Sequence, residues 1–307
     1  MNAREGRLPN FLIIGAPKSG TTSLGRYLRH HPEVFIPLAE EPKYFAYPGR
    51  PPEYQSPDRS AVVKSTHWRL DEYRELFVPC RNQKACGEKS ANYLWAPRAP
   101  QTIRDLVPEA RLIVILRNPA DRAYSHFTHN LRSLREPLQD FRAALAAESE
   151  RKKQNWSYNY LYRERGYYAE QLERYYALFR REQLLVLLYD DLVADAAGVM
   201  RTICRHLGIS ETYPLPVGER HNVSFGVPKN GLVHRMLCRE SPAKSLVRTI
   251  LPRNFQRRIW AAMYKKNLAP LPGFDPVLRR ELVSESTDNI RRLERVLDRD
   301  LSPWLAT

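Results

Sequence analysis

Phe11–Leu24, FLIIGAPKSGTTSL, is the stretch from which the fold is read. Four apolar residues, Phe11 to Ile14, suit a short buried strand. Gly15, Pro17 and Gly20 interrupt it, and from Thr21 the apolar spacing becomes helical, with Leu24 and Leu28 on one face. A strand, a glycine-bearing turn and a helix start bring backbone N–H groups and the positive end of a helix dipole together. That is the geometry of an anion cradle.

The Walker A phosphate loop reads GxxxxGK[ST]. Gly15 and Gly20 keep that spacing, and Thr21 and Thr22 follow, but the lysine stands two residues before the second glycine, at Lys18. The backbone can still wrap a phosphate while the point charge moves to another part of the ligand. An ordinary ATP- or GTP-hydrolysing loop is disfavoured by this displacement.

Working outward, Val34–Ile36, Lys84–Ser90, Arg111–Leu116 and Leu184–Leu188 read as further strands. Helices are expected at Thr21–His30, Trp68–Phe77, Pro97–Leu106, from Pro119, at Glu136–Glu150, Tyr167–Phe179 and Val193–Leu207. Continuous apolar strands separated by helices predict an α/β fold of the P-loop type, three layers with a central parallel sheet flanked by helices. The stripe Tyr168, Leu172, Tyr175, Tyr176 and Phe179 is read as core. Asp190 and Asp191 are read as a strand end and helix cap. Ala39–Asp58 is rich in proline and tyrosine and too irregular for a regular element. A long loop of this kind is usually functional.

The 307 residues suffice for a large core. With 43% apolar and 27% charged residues the chain is globular. A net charge of +15 implies an anionic partner. No apolar run approaches the roughly 18 residues of a membrane span. The polar N-terminus MNAREGRLPN carries no signal-peptide core. Cys80, Cys86, Cys204 and Cys238 have no metal-like spacing, so reduced thiols and no metal are expected. Lys229–Lys266 holds ten Lys/Arg and one acid with apolar residues interleaved. It reads as a solvated helical cap or as a docking face for an acidic acceptor or membrane surface. Residues 1–230 form the expected ligand-binding domain, and 231–307 a basic helical extension packed on it.

Arg117 follows the strand Arg111–Leu116, and Ser125 lies eight residues on, in RNPADRAYSHF. In a parallel sheet Arg117 emerges at the same carboxyl edge as the cradle, where ligands bind in open α/β sheets. Taken alone it would be read as a helix-capping or ion-paired arginine. Beside the cradle, an arginine and a hydroxyl make a second anion site, which implies a nucleotide phosphorylated at two places.

PKSGTTSL and RNPADRAYSHF together resemble the two signature segments of the PAPS-dependent sulfotransferases. EEPKYF and GEKSANY resemble the branch that holds heparan sulfate sulfotransferases and bacterial relatives; the likeness covers roughly residues 10 to 232. It implies that PAPS, 3′-phosphoadenosine 5′-phosphosulfate, is the donor, with Lys18, Ser19, Gly20, Thr21, Thr22 and Ser23 at its 5′-phosphosulfate. Lys18 would contact the bridging and sulfuryl oxygens, and Arg117 and Ser125 the 3′-phosphate. A late loop, Arg220–Asn230 (RHNVSFGVPKN), would close over that phosphate with Lys229 as its cation, although it departs from the lysine- and glycine-rich form of other branches.

The resemblance also places Glu41 as the base that deprotonates an acceptor hydroxyl, with Glu40 adjacent, His67 as the competing base and Lys89 orienting acceptor or sulfuryl group. The acceptor would be a carbohydrate or natural-product alcohol, the reaction of EC 2.8.2 type, and the location cytoplasmic. The competing classes are a P-loop nucleotide kinase or NTPase, and a basic module binding nucleic acid or membrane.

Overall fold

The computed structural model describes residues 7–217, 226–229, 263, 266–271 and 273–306. Five strands, β1 (Phe11–Gly15), β2 (Val34–Phe35), β3 (Ala85–Lys89), β4 (Arg111–Leu116) and β5 (Leu184–Leu188), form one parallel sheet in the order β2-β3-β1-β4-β5. The expected α/β architecture is therefore observed. β1 lies at the centre. The chain leaves it for β2 at one edge and later crosses to β4 on its other side, so its carboxyl end is a topological switch point.

Side-chain alternation along the strands builds a core on each face. Leu12, Ile14, Leu112, Val114 and Leu116 face one core. It is covered by α3 (Leu70–Glu75), α4 (Ala99–Leu106) and α8 (Tyr168–Tyr176), with Tyr73, Ile103, Tyr168, Leu172 and Tyr175 fully buried. Phe11, Ile13, Ile113 and Ile115 face the other, against α1 (Thr21–Arg29) and α10 (Ala196–Leu207). The aromatic stripe of α8 is core, as expected; only Tyr176 is partly exposed. A third cluster joins α5 (Pro119–Arg132) and α6 (Phe141–Ala146) to α11 (Pro276–Glu285).

Several helices differ from the sequence expectation for local reasons. Glu136–Glu150 is not one helix. Glu136 is buried and paired with Arg151 at 2.6 and 3.0 Å, and it accepts from Tyr162 Oη at 2.6 Å. Asp140 then caps α6 by accepting from the Ala143 N–H, and a separate α7 spans Glu148–Lys153. Val193–Leu207 is split into α9 (Tyr189–Ala194) and α10 because the Asp195 side chain accepts from the Gly198 N–H and starts a new helix. Asp190 and Asp191 are not caps; they lie in the first turn of α9. Their carboxylates bind Trp304 Nε1 and Arg299 Nη2, each at 2.7 Å. A short α2 (Arg59–Lys64) follows the proline- and tyrosine-rich loop, whose only regular piece is the turn Tyr44–Ala46.

The C-terminal helices α11, α12 (Thr287–Leu297) and α13 (Ser302–Leu305) close the core, with Ile290, Leu293 and Trp304 buried in it. A two-stranded antiparallel pair joins β6 (Val227–Pro228) to β7 (Leu268–Ala269). The basic run Lys229–Lys266 lies outside the described residues except for Lys229, Met263 and Lys266, and so does Cys238. Cys80, Cys86 and Cys204 are free and buried. Among the described residues no helix is long and apolar enough to cross a membrane. Trp304 is 4% exposed and ties α13 to α9. Trp304→Ala is expected to cost about 3–5 kcal/mol in urea denaturation within a single cooperative transition.

Candidate active site

The loop after β1 enters α1 through Gly20, which takes φ 104°. A Cβ there would stand 3.0 Å from Leu192 Cδ2 and 3.3 Å from the Tyr189 ring, so both space and conformation call for glycine. No side chain caps α1, and its first turn holds no acid. By contrast the Asn118 side chain caps α5, accepting from the Ala120 and Asp121 N–H groups. The leading N–H groups of α1 therefore keep their capacity for an external anion.

A cavity of about 430 Å³ opens at this edge of the sheet. Lys18, Gly20, Thr21, Thr22, Ser23, Glu41, Lys89, Arg117 and Ser125 all line it, so most of the residues singled out by the sequence meet in one place. Ser19 is fully buried and is not on the wall. Lys229 is exposed and does not line the cavity; its N–H donates to the Asn267 carbonyl at 2.7 Å beside the β6–β7 pair. Residues 220–225 and 230 of the late loop lie outside the described residues. His67 is not on the wall either; its N–H holds the Pro42 carbonyl, and burial lowers its imidazole.

The sequence reading did not assign Lys43, His126, His129, Arg135, Tyr158, Asn159, Arg165 and Tyr189 to the site, and they also line the wall. They come from loops, from α5 and from the first residue of α9, and no spacing in the sequence joins them. Six lysines and arginines face two glutamates, Glu40 and Glu41. Arg117 stacks over Tyr189 at 4.8 Å from the ring centre, and its Nη1 donates to the Lys18 carbonyl at 3.5 Å. Arg165, 2% exposed, lies over Tyr158 at 5.0 Å and donates from Nη2 to Asn92 Oδ1 at 3.4 Å, while its buried Nε has no partner among the described residues. Such a guanidinium is costly to hold unless an anion answers it.

Glu41 and Lys43 both sit at positive φ, 54° and 61°, and Lys18 at 65°. Backbone strain of this kind collects at functional sites. Lys89, on β3, donates from Nζ to Glu41 Oε1 at 3.1 Å. Burial pushes the Glu41 carboxyl up, but the charges of Lys89 and Lys43 and the Lys89 hydrogen bond together hold it at about 2. Burial, aided by Arg132, Arg117 and Lys89 against the pull of Glu41, lowers the Lys18 ammonium to about 8. Burial and the charges of Lys18, Arg135 and Arg132 lower His129 to about 3, so it is neutral at pH 7.

The lowered Lys18 has a stability consequence. Its folded pKa lies below the unfolded 10.5, so the folded state binds fewer protons between about pH 8 and 10.5. The cost of burying the charge is full below pH 8 and fades as pH rises through that window. Lys18→Met is expected to stabilise the protein at pH 7 by roughly 2 kcal/mol, the partial exposure of the side chain being allowed for. Urea denaturation at pH 7 and pH 10 checks this; the gain should shrink at pH 10.

A sequence profile of the Sulfotransferase family matches residues 9–213, the span that carries the five-stranded sheet, the cradle and the cavity wall. A sulfotransferase from Alicyclobacillus acidocaldarius, known by crystal structure, superposes with a TM-score of 0.76 at 31% identity, over 98% of this chain and 100% of that one. Human bifunctional heparan sulfate N-deacetylase/N-sulfotransferase 3 is 32% identical over 213 residues, 67% of this chain and 23% of its own length. The mouse N-deacetylase/N-sulfotransferase 1 is 31% identical over 75% of this chain and 25% of its own. The chain thus spans about a quarter of the length of these curated relatives. With the profile matched across the cavity-forming residues and the whole length superposed on a solved sulfotransferase, the chain belongs to the sulfotransferase family.

Proposed function

We propose that this chain transfers the sulfuryl group of PAPS to a hydroxyl of a carbohydrate or natural-product acceptor. The observation that carries the reading is the pairing, in one cavity, of an uncapped helix N-terminus beside Lys18 with a second cationic group, Arg117, and the Ser125 hydroxyl. A doubly phosphorylated nucleotide answers both, and a cavity of about 430 Å³ is of the size that holds one. The excess of cations over glutamates and the unpartnered Arg165 Nε fit the same ligand.

In this reading the α1 N–H groups with Thr21, Thr22 and Ser23 hold the 5′-phosphate, and Arg117 and Ser125 hold the 3′-phosphate. The acceptor oxygen bonds to sulfur as the bond from sulfur to the 5′-phosphate oxygen breaks. The products are a sulfate ester and adenosine 3′,5′-bisphosphate. Lys18 stabilises the charge that gathers on the departing phosphate oxygen. Glu41 takes the hydroxyl proton; it is already a carboxylate at neutral pH, and Lys89 fixes its aim. A donor anion in the cavity competes for the same lysines, which raises the Glu41 pKa toward the range of an effective base. Positioning and charge stabilisation do the rest, as in phosphoryl transfer.

A second reading differs only in the acceptor atom. The curated relatives are named as heparan sulfate N-sulfotransferases, which favours a glucosaminyl amine over a hydroxyl. Transfer from labelled PAPS to heparosan oligosaccharides, offered N-acetylated and N-deacetylated beside simple alcohols, separates the two by mass spectrometry of the product.

Lys18→Ala should lower kcat by about 10²- to 10³-fold in a folded protein. Full activity in that variant would contradict the reading. Glu41→Gln should lower kcat about 10²- to 10⁴-fold with the affinity for adenosine 3′,5′-bisphosphate unchanged. His67→Ala should remain near wild type; loss of turnover there, with Glu41→Gln active, would move the base to His67.

A further inference from the structure

Glu88 lies on β3 next to Lys89 and is fully buried. Its Oε1 accepts from Tyr93 Oη at 2.6 Å and from Tyr73 Oη at 3.3 Å, and its Oε2 from Ser90 Oγ at 2.8 Å. Two of these hydroxyls have a second task. Ser90 Oγ accepts from the Lys43 N–H at 3.0 Å, and Tyr93 Oη accepts from the Phe45 N–H at 3.4 Å. A hydroxyl has one proton to give. An ionised Glu88 can only accept, so both protons turn to it and both sets of lone pairs turn to the amides. Those amides belong to the loop that holds Glu41 and Lys43 at positive φ.

We propose that Glu88 is a positioning residue: its carboxylate sets the Ser90 and Tyr93 hydroxyls so that they clamp the Lys43 and Phe45 amides and aim Glu41 into the cavity, and its protonation releases the clamp. A protonated carboxyl carries a donor, so a clamp hydroxyl that faces the protonated oxygen has to accept from it as well as from its amide, and its own proton loses the carboxylate as partner, which loosens its grip on the amide. The inference rests on Glu41 acting as base in the proposed transfer.

The release falls at a useful pH. Burial raises the Glu88 carboxyl to about 7, against the hydrogen bonds of Tyr93, Ser90 and Tyr73, and with the Glu41 charge adding to the rise. The groups facing it are Tyr73 from α3, Ser90 and Tyr93 after β3, and Glu41 and Lys43 from the loop. In the ligand-free protein, where exchange is read, Glu41 at about 2 and His129 at about 3 titrate too low to imitate it, and Lys18 at about 8 loses its charge on the alkaline side.

The test uses the full chain as wild type, Glu88→Gln and Ser90→Ala between pH 5.5 and 8.5. Two quantities are read: amide hydrogen-exchange protection of Lys43 and Phe45, and kcat with labelled PAPS and the heparosan oligosaccharides. In wild type, protection and kcat should both fall about tenfold per pH unit below 7, with the affinity for adenosine 3′,5′-bisphosphate unchanged. Glu88→Gln should be flat in both, with kcat at pH 8 about tenfold below wild type, because its amide N–H₂ has to face a hydroxyl. Ser90→Ala should lose protection at Lys43 and keep it at Phe45, which supports the clamp even if Glu88→Gln does not fold. Protection independent of pH in wild type, an acid limb that survives in Glu88→Gln, or unchanged Lys43 protection in Ser90→Ala would overturn the proposal. A wild type that shows the pH-dependent protection but transfers nothing supports the clamp and contradicts the proposed function.

Discussion

At the carboxyl end of β1 and β4, Lys18, Lys43, Lys89, Arg117, Arg135 and Arg165 face one cavity, balanced among the described residues by Glu40 and Glu41 alone. Like charges at this density repel strongly where burial keeps water from screening them; burial first, and neighbouring cations second, lower the pKa values of Lys18 and Arg165. The sheet, two layered cores and the C-terminal helices hold the cluster together in spite of it. Their packing, not the site, supplies the stability. The site in turn has charge ready for a polyanion before one arrives, and that preorganisation is what transfer of a charged group needs.

The loops around the cavity are held by buried acids whose hydrogen bonds are satisfied. Asp58 accepts from Ser56, Ser157 and Asn159 and so ties the start of α2 to the residues before α8. Glu136 joins Arg151 and Tyr162. Glu148 accepts from the Arg163 and Glu164 amides, next to the buried Arg165. Each takes a segment with no regular structure and gives its backbone a fixed partner, which is how an irregular loop can present a side chain as accurately as a helix does.

The parts of this arrangement that depend on local sequence were legible. FLIIGAPKSGTTSL is a strand, a turn and a helix start within a dozen or so residues, and RLIVIL followed by Arg117-Asn118-Pro119 is a buried strand that ends in a capped helix. Lys18, Arg117 and Ser125 could be brought together because parallel strands put their carboxyl ends on one edge. Arg135 and Arg165 could not, since each lies at a turn held by partners far along the chain: Tyr160 Oη donates to the Arg135 carbonyl, and Glu148 accepts from the Arg163 and Glu164 amides just before Arg165. The helix expected at Glu136–Glu150 failed for the same reason. Its periodicity was suitable, but Glu136 is drawn into an ion pair with Arg151 that no local pattern announces. Lys229 was assigned by likeness to a loop whose form this chain does not keep; it follows the β6–β7 pair and is not among the residues that line the cavity.

The account stands on two anion-holding groups serving one ligand. Calorimetric titration of the whole chain with adenosine 3′,5′-bisphosphate, with each adenosine monophosphate and with ATP and Mg²⁺ tests that directly. The bisphosphate should bind at least about tenfold more tightly than either monophosphate, the 3′- and the 5′-phosphate each adding affinity, and more tightly than ATP with Mg²⁺. Equal affinity for the bisphosphate and for a monophosphate, or tighter binding of ATP with Mg²⁺, would contradict it.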